Sequence, residues 1–276
     1  MTTSEKLEKL MSVLTRMKKV TVAYSGGVDS AFLLKVAVDT LQVKNVRAIL
    51  AISPSYPSRE YQKALDTAAY IGIQPEIIHT KETEDPRFAK NPVNRCYFCK
   101  HELFTRIAEY VETGEVNNMV DGSNADDLND IRPGRKALLE KHVSSPLQEA
   151  GLTKDEIRML SRHVGLPTWN KDALACLSSR FPYGERINHE KLKMVDEAED
   201  FLAHLGFSNI RARFEKRSVR IEVSSDQIKR FADDGLRLQV VHKMKELGYD
   251  FISLDLVGYR QGSLNEALTP VVSQQF

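Results

Sequence analysis

The sequence predicts an α/β protein: a parallel-sheet domain over residues 1–184, followed by a smaller α/β domain over residues 185–276. Three observations carry that expectation. Short apolar runs alternate with helical stretches through the first half, a rhythm that implies parallel strands covered on both faces. Beyond Gly184 the order changes to helix, strand, strand, helix, strand, and a remainder of about ninety residues suits a second domain. The 276 residues, 42% apolar and 28% charged, suffice to bury a core and are unlike a disordered chain.

Taken in order, Val20–Tyr24 is an apolar run before a glycine pair, and Ala31-Phe32-Leu33-Leu34 opens a helical pattern. Val46–Ile52 reads as a buried strand, residues 60–70 as a helix ended by Gly72, and Glu76–His79 as a third strand. Residues 80–95 hold two prolines and no periodicity, which suits either a mobile lid or a plain surface loop. Leu103, Ile107 and Val111 mark a helix stripe, and residues 119–122 a fourth strand entering a polar loop over 121–135. Thr153 with Glu156 is a capping box, starting a helix that ends at Gly165 with Pro167 just beyond. Residues 189–205 read as an amphipathic helix, 210–214 and 219–223 as a hairpin, 227–247 as one or two helices, and 251–256 as a closing strand. No internal repeat or low-complexity tract is visible.

Charge and hydropathy narrow the function classes. Lysine and arginine number 39 against 38 acidic residues, a net charge of +1, so no global field attracts nucleic acid or an anionic membrane. No stretch has the length of a transmembrane span, and residues 1–19 are charged throughout, unlike a secretory signal. The expectation is a cytoplasmic protein without a membrane or nucleic-acid partner. In a reducing compartment its three cysteines, too few for a disulfide framework, are expected to be chemical rather than structural.

Ser25-Gly26-Gly27-Val28-Asp29-Ser30 sits between the first strand and the first helix. Glycines there let the backbone turn tightly, so that N–H groups converge on an anion at the positive end of the helix. Ser25 and Ser30 add hydroxyls, and Asp29 is suited to orient the loop or help hold Mg²⁺. There is no lysine, so this is not a Walker A loop, nor does the spacing fit G-x-G-x-x-G. The plain alternative is a helix-capping turn. The hexapeptide matches the S-G-G-x-D-S loop of the PP-loop ATP pyrophosphatases, and Gly122-Ser123-Asn124-Ala125-Asp126-Asp127 resembles their G-x-N-x-D-D run. The resemblance implies an adenine nucleotide alpha hydrolase-like fold that binds ATP and transfers AMP to an acceptor. It implies nucleotide binding by residues 25–30 together with Ser53, Gly122, Asn124, Asp126 and Asp127, one of the two aspartates approaching metal or nucleotide. A solvated acidic loop is the other account of Asp126 and Asp127.

The acceptor chemistry points to sulfur, since no ammonia-supplying glutaminase segment is present. Cys96-Tyr97-Phe98-Cys99 opens a predicted helix, where the dipole favours thiolate, and Cys176 lies far off in Ala175-Cys176-Leu177-Ser178-Ser179-Arg180. Four readings apply: inert buried thiols, a redox pair that leaves Cys176 unused, a zinc site with His101 near at hand, or three thiolates on a [4Fe–4S] cluster with one iron open to an added sulfide. Beside a pyrophosphatase loop the last leads.

Arg95-Cys96-Tyr97-Phe98-Cys99-Lys100 resembles the R-C-Y-x-C-K motif of the LarE family. So do the stretches from Ser145-Pro146-Leu147 through Gly165-Leu166-Pro167 to Phe181-Pro182-Tyr183-Gly184, and Leu254-Asp255-Leu256-Val257-Gly258-Tyr259-Arg260 near the end. The resemblance covers nearly the whole chain. It implies an enzyme that adenylates the carboxylates of pyridinium-3,5-biscarboxylic acid mononucleotide and converts them to thiocarboxylates, in making the nickel-pincer nucleotide of lactate racemase. The three-cysteine pattern implies the [4Fe–4S] route through Cys96, Cys99 and Cys176, with sacrifice of the Cys176 sulfur as the alternative. The cofactors implied are ATP, Mg²⁺ and the cluster; the partners are a small nucleotide substrate, a sulfur donor of unknown identity and further copies of the chain. Arg211 and Arg213 share one strand face and, with Ser179 and Arg180, suit the substrate's phosphate, although a solvated hairpin face is the plainer account. Glu199 and Glu222 suit a metal or the orientation of these arginines. Two other functions fit the motifs less well, a tRNA-thiolating enzyme and a nucleotide-binding module without turnover.

Overall fold

The protein's structure, a computed structural model, describes residues 1–111, 118–128, 133–172, 175–260 and 262–263. Among the described residues the chain divides into two compact units. Met1–Ser53, Arg59–Phe88 and Val93–Leu174 form the first; Pro54–Ser58, Ala89–Pro92 and Ala175–Phe276 form the second.

The first unit carries strands β1 (Val20–Tyr24), β2 (Val46–Ile52), β3 (Glu76–His79) and β4 (Asn118–Val120), all parallel in the order β3-β2-β1-β4. Three of them have the bounds read from the sequence, because an apolar run without polar alternation is what a strand covered on both faces requires. Helices α1 (Thr3–Met17), α2 (Val28–Leu41), α3 (Ser58–Ile71), α4 (Pro86–Ala89), α5 (Arg95–Val111), α6 (Gly134–Glu140), α7 (Pro146–Ala150) and α8 (Lys154–His163) precede, connect and follow these strands along the chain. Phe104, Ile107 and Val111 of α5 join Leu138 and Val143 in one core cluster with Ile49 of β2 and Ile78 of β3. The expected capping box at Thr153 and Glu156 starts α8. A second one, Thr2 with Glu5, starts α1, a helix not expected from the sequence, which buries Leu10, Val13 and Leu14. Segment 80–95 is more than a surface loop: it contains a 3-10 turn and α4, and Glu82, Phe88 and Asn91 are buried.

The chain leaves β1 toward β2 and β3 on one side and returns to β4 on the other. The segments after β1 and β4 thus flank a crevice at the carboxyl edge of the sheet, where open α/β sheets bind ligands.

The second unit holds α9 (His189–His204), the antiparallel hairpin β5 (Arg211–Glu215) and β6 (Ser218–Glu222), α10 (Asp234–Glu246) and β7 (Phe251–Leu254), which lies parallel to β6. The stretch read as one or two helices is a 3-10 segment, Ser225–Ala232, and then α10; Asp233 separates them by capping Leu236 N–H. The hairpin does not present a solvated arginine face. Arg211 and Arg213 are each 8% exposed, and both faces of β5 are buried as far as Phe214. No helix among the described residues is long and apolar enough to cross a membrane.

Candidate functional site

Residues 25–30 join β1 to α2 at the crevice. Gly26 has φ +73°, which a side chain would oppose. Gly27 is the N-cap of α2 and offers no side-chain hydrogen bond to the first turn, so those N–H groups and the positive helix end stay available to an anion. The Ser30 hydroxyl donates to the Gly27 carbonyl at 3.2 Å, accepts from Ser25 N–H at 3.2 Å and lies 3.0 Å from Ser25 Oγ. Two hydroxyls five residues apart thus close the loop on itself. Ser53 directly follows β2 and is half-buried.

The segment after β4 packs against this loop as backbone. A Cβ on Gly122 would come within 2.9 Å of Ser30 N, so only glycine allows the approach. Buried Asp121 accepts hydrogen bonds from the hydroxyls of Ser123 and Ser145, each at 2.6 Å, and so shapes the turn. Asn124 Nδ2 reaches Asp29 at 3.5 Å, the margin of a hydrogen bond. Asp126 accepts from Lys154 N–H at 2.8 Å and Asp127 from Asn124 N–H at 3.0 Å, so both carboxylates are engaged by local backbone.

Two lysines from far along the chain complete these surroundings. The Lys154 ammonium bonds the Asp29 carboxylate. Lys171 donates to the Gly26 carbonyl at 2.9 Å and pairs with Glu60 at 2.6 Å. Burial of Glu60 opposes its charge, but Lys171 and Lys63 outweigh that and hold its carboxyl below the usual value. The hexapeptide and its acidic counterpart were visible in the sequence. The lysines were not, because 125 and 145 positions separate them from the groups they bond.

Cys96 and Cys99 lie one turn apart at the start of α5, Cys96 exposed and Cys99 half-buried, and neither is in a disulfide. The residues between them are held by charge. Tyr97 Oη donates to Glu140 at 2.8 Å, and the Arg87 guanidinium sits 5.0 Å from the Phe98 ring centre.

In the second unit, half-buried Cys176 precedes a 3-10 turn, Leu177–Arg180. Arg180, 1% exposed, anchors that turn. It bonds Glu199 twice, at 2.7 and 2.8 Å, and donates to the carbonyls of Ala175 and Cys176 and to Ser179 Oγ, each at 2.9 Å. Burial works against its charge, and Glu199 more than restores it, so its pKa is raised. Arg213 pairs with Glu222 at 3.0 and 2.9 Å and donates to the Ser179 carbonyl at 2.9 Å. Glu199 and Glu222 therefore orient arginines. Arg211 differs: it donates to the Ile210 carbonyl at 2.7 Å and to Tyr259 Oη at 3.4 Å, and lies 4.6 Å from the Tyr259 ring centre. Among the described residues no carboxylate is paired with it. Burial first, then the charge of Arg180, lower its pKa. A buried guanidinium in that condition favours an added anion.

Among the described residues no group of three or more histidine, cysteine or acidic side chains is gathered to hold a metal ion. Cys96 and Cys99 belong to the first unit and Cys176 to the second.

A family model described as NAD synthase matches residues 4–120. An uncharacterized protein of Synechocystis is 43% identical over 264 residues, 96% of this chain and 98% of that protein. The pyridinium-3,5-bisthiocarboxylic acid mononucleotide synthase of Lactiplantibacillus plantarum is 35% identical over 268 residues, 97% of this chain and 96% of its own. An uncharacterized protein of Methanocaldococcus jannaschii is 28% identical over 92% of this chain and 96% of its own.

Proposed function

The chain belongs to the LarE family of PP-loop enzymes, and from that premise we propose that it is an ATP-dependent sulfur transferase that makes pyridinium-3,5-bisthiocarboxylic acid mononucleotide. The observation that supports this best is the junction of β1 and α2. An uncapped helix end, a left-handed glycine and the close-packed Gly122 bring backbone rather than side chains to the place where pyrophosphate would sit.

ATP binds with its pyrophosphate on the N–H groups of residues 25–30. Mg²⁺ needs few protein carboxylates when phosphates and water supply its other ligands. Asp29 suits that role, and the Lys154 ammonium bonds its carboxylate. A substrate carboxylate oxygen attacks the α-phosphorus, and pyrophosphate departs, its charge stabilised by the converging N–H groups. The carboxyl then carries AMP as a mixed anhydride. A sulfur nucleophile attacks the acyl carbon, AMP leaves, and a thiocarboxylate remains. Arg211 takes the substrate's phosphate, while Arg180 and Arg213, already paired, hold the walls of that pocket with Ser179. In this assignment residues 1–184 form the ATP pyrophosphatase domain and also lend Ser179 and Arg180 to the substrate, while residues 185–276 serve the substrate and the association of copies.

The three thiols match the donor type of an iron–sulfur centre. Cys96, Cys99 and Cys176 would hold a [4Fe–4S] cluster, which supplies sulfide chemistry at its fourth iron. The alternative is that Cys176 gives up its own sulfur and ends as dehydroalanine.

An anaerobic iron and acid-labile sulfide assay on fresh protein separates the two. We expect iron and sulfide in equal amounts, lost on changing any one of the three cysteines to alanine. Active protein without iron, with one sulfur's mass missing from Cys176 after turnover, would instead establish sacrifice. If no pyrophosphate is released with ATP, Mg²⁺ and acceptor, the chain is a binding module and the enzymatic proposal fails.

A further inference from the structure

A PP-loop without a lysine of its own faces a problem of orientation. The Gly26–Gly27 peptide has a carbonyl at one end and an N–H at the other, pointing in opposite directions across a trans bond. Turned one way it offers a donor to an anion; turned the other way it offers a carbonyl oxygen that repels phosphate. Rotating the peptide plane changes only ψ of Gly26 and φ of Gly27. Neither residue has a Cβ to oppose the change. The loop sequence therefore leaves open which end faces the ligand.

Lys171 is positioned to decide it. Its ammonium donates to the Gly26 carbonyl at 2.9 Å, so the Gly27 N–H points away from Lys171. Gly27 N–H donates to Ser25 Oγ across 3.4 Å, a long and weak bond that a charged phosphate oxygen can displace. Lys171 is itself fixed from three sides. Glu60 pairs with its ammonium at 2.6 Å, and the two side chains are 18% and 9% exposed. Arg158 of α8 donates to the Lys171 carbonyl at 2.7 Å and to the Trp169 carbonyl at 2.9 Å. Lys171 N–H bonds the Thr168 carbonyl at 3.0 Å. An ammonium anchored in this way is a fixed point to which the Gly26 carbonyl is tied.

We propose that Lys171, held by Glu60, is a positioning residue that sets the direction of the Gly26–Gly27 peptide and thereby makes the Gly27 N–H a donor to the ATP pyrophosphate. The inference rests on the proposed ATP binding by residues 25–30. Lys171 acts through the carbonyl and touches no phosphate. That separates it from a lysine that binds phosphate directly, whose affinity would survive loss of Glu60.

The test compares wild type with Lys171→Met, Lys171→Arg and Glu60→Gln by calorimetric titration of ATP with Mg²⁺, inorganic pyrophosphate and adenosine, and by the Gly27 amide resonance of ligand-free protein. Lys171→Met is expected to weaken ATP and pyrophosphate by about tenfold or more, the scale of one lost charge-assisted hydrogen bond. Adenosine affinity should be unchanged and the Gly27 resonance displaced. Lys171→Arg should restore most of the affinity, since it still donates to the carbonyl, and Glu60→Gln should weaken pyrophosphate in the same direction. Wild-type pyrophosphate affinity in Lys171→Met, or an unmoved Gly27 resonance, would overturn the proposal; so would undiminished affinity in Glu60→Gln. If wild type binds neither ATP nor pyrophosphate, the ATP assignment itself fails, and the ligand-free resonance still reports whether Lys171 orients the peptide.

Discussion

At the scale of the residue, arginines that look alike in sequence do different work. Arg180, Arg211 and Arg213 all suited one phosphate pocket, and period two correctly put the last two on one face. Which arginine carries a carboxylate is a tertiary matter. Glu199 lies 19 positions from Arg180 and Glu222 nine from Arg213, and nothing local selects those pairs over others. The consequence is measurable. Arg180→Met takes from fully buried Glu199 the guanidinium that bonds both of its carboxylate oxygens, and we expect a loss of about 3–5 kcal/mol in urea unfolding. Arg211→Met removes a buried charge that pairs with no carboxylate among the described residues and whose pKa burial lowers, so stability should hold or rise. Its effect should fall instead on KM for the mononucleotide, raised by about tenfold or more as a charge-assisted contact is lost. Equal destabilisation by the two substitutions would show Arg211 to be a structural pair member and remove it from the phosphate site.

Elements were legible where their signal is local. The β1, β2 and β3 runs and the capping box of α8 are patterns of contiguous residues, and they stand where read. The 3-10 turn Leu177–Arg180, α4 and α7 are short, and their geometry depends on partners remote in sequence, such as the Glu199 that holds Arg180. The α8 cap also shows what tertiary structure adds to a local motif. Glu156 closes the cap on Thr153 and, in addition, accepts from Lys6 of α1 at 2.7 and 2.8 Å. Partial burial opposes its charge, but Lys6 and Thr153 prevail, and its carboxyl is pulled down to about 2. A carboxylate depressed in the folded state stabilises the fold above its unfolded pKa of about 4.3, and that contribution fades as pH falls toward 2. The stability gap between wild type and Glu156→Gln should therefore be full at pH 7, smaller near pH 4 and nearly closed at pH 2. Its size should be about 1 kcal/mol or less, since the pair is partly open to solvent. Chemical denaturation at the three pH values measures it; a gap independent of pH would mean that the charge of Glu156 contributes nothing.

For the molecule as a whole, the balanced charge of +1 acquires a structural reading that composition alone lacked. The loops that define the enzyme family are contiguous and were legible; the lysines beside them were not, because folding rather than sequence proximity brings them there. Folding likewise decides the charge of the arginine-rich stretch 211–220. Arg213 pairs with Glu222, Arg217 with Asp250 at 3.3 Å, and Arg220 with Asp255 at 2.6 Å. Carboxylates of the protein already compensate the charges that a phosphate backbone would use, and the remaining buried guanidinium, Arg211, suits a single phosphate rather than a chain of them. Binding to a polyanion draws its strength from the counterions released when several unpaired cations meet its phosphates, and it is weak when few such cations are available. The protein should therefore pass through immobilised tRNA without retention at about 0.15 M salt, where surface charges are screened within about 8 Å, and a deletion strain should keep its thionucleosides. Retention at that ionic strength, or loss of one thionucleoside, would move the substrate from a small mononucleotide to tRNA while leaving the PP-loop chemistry of ATP in place.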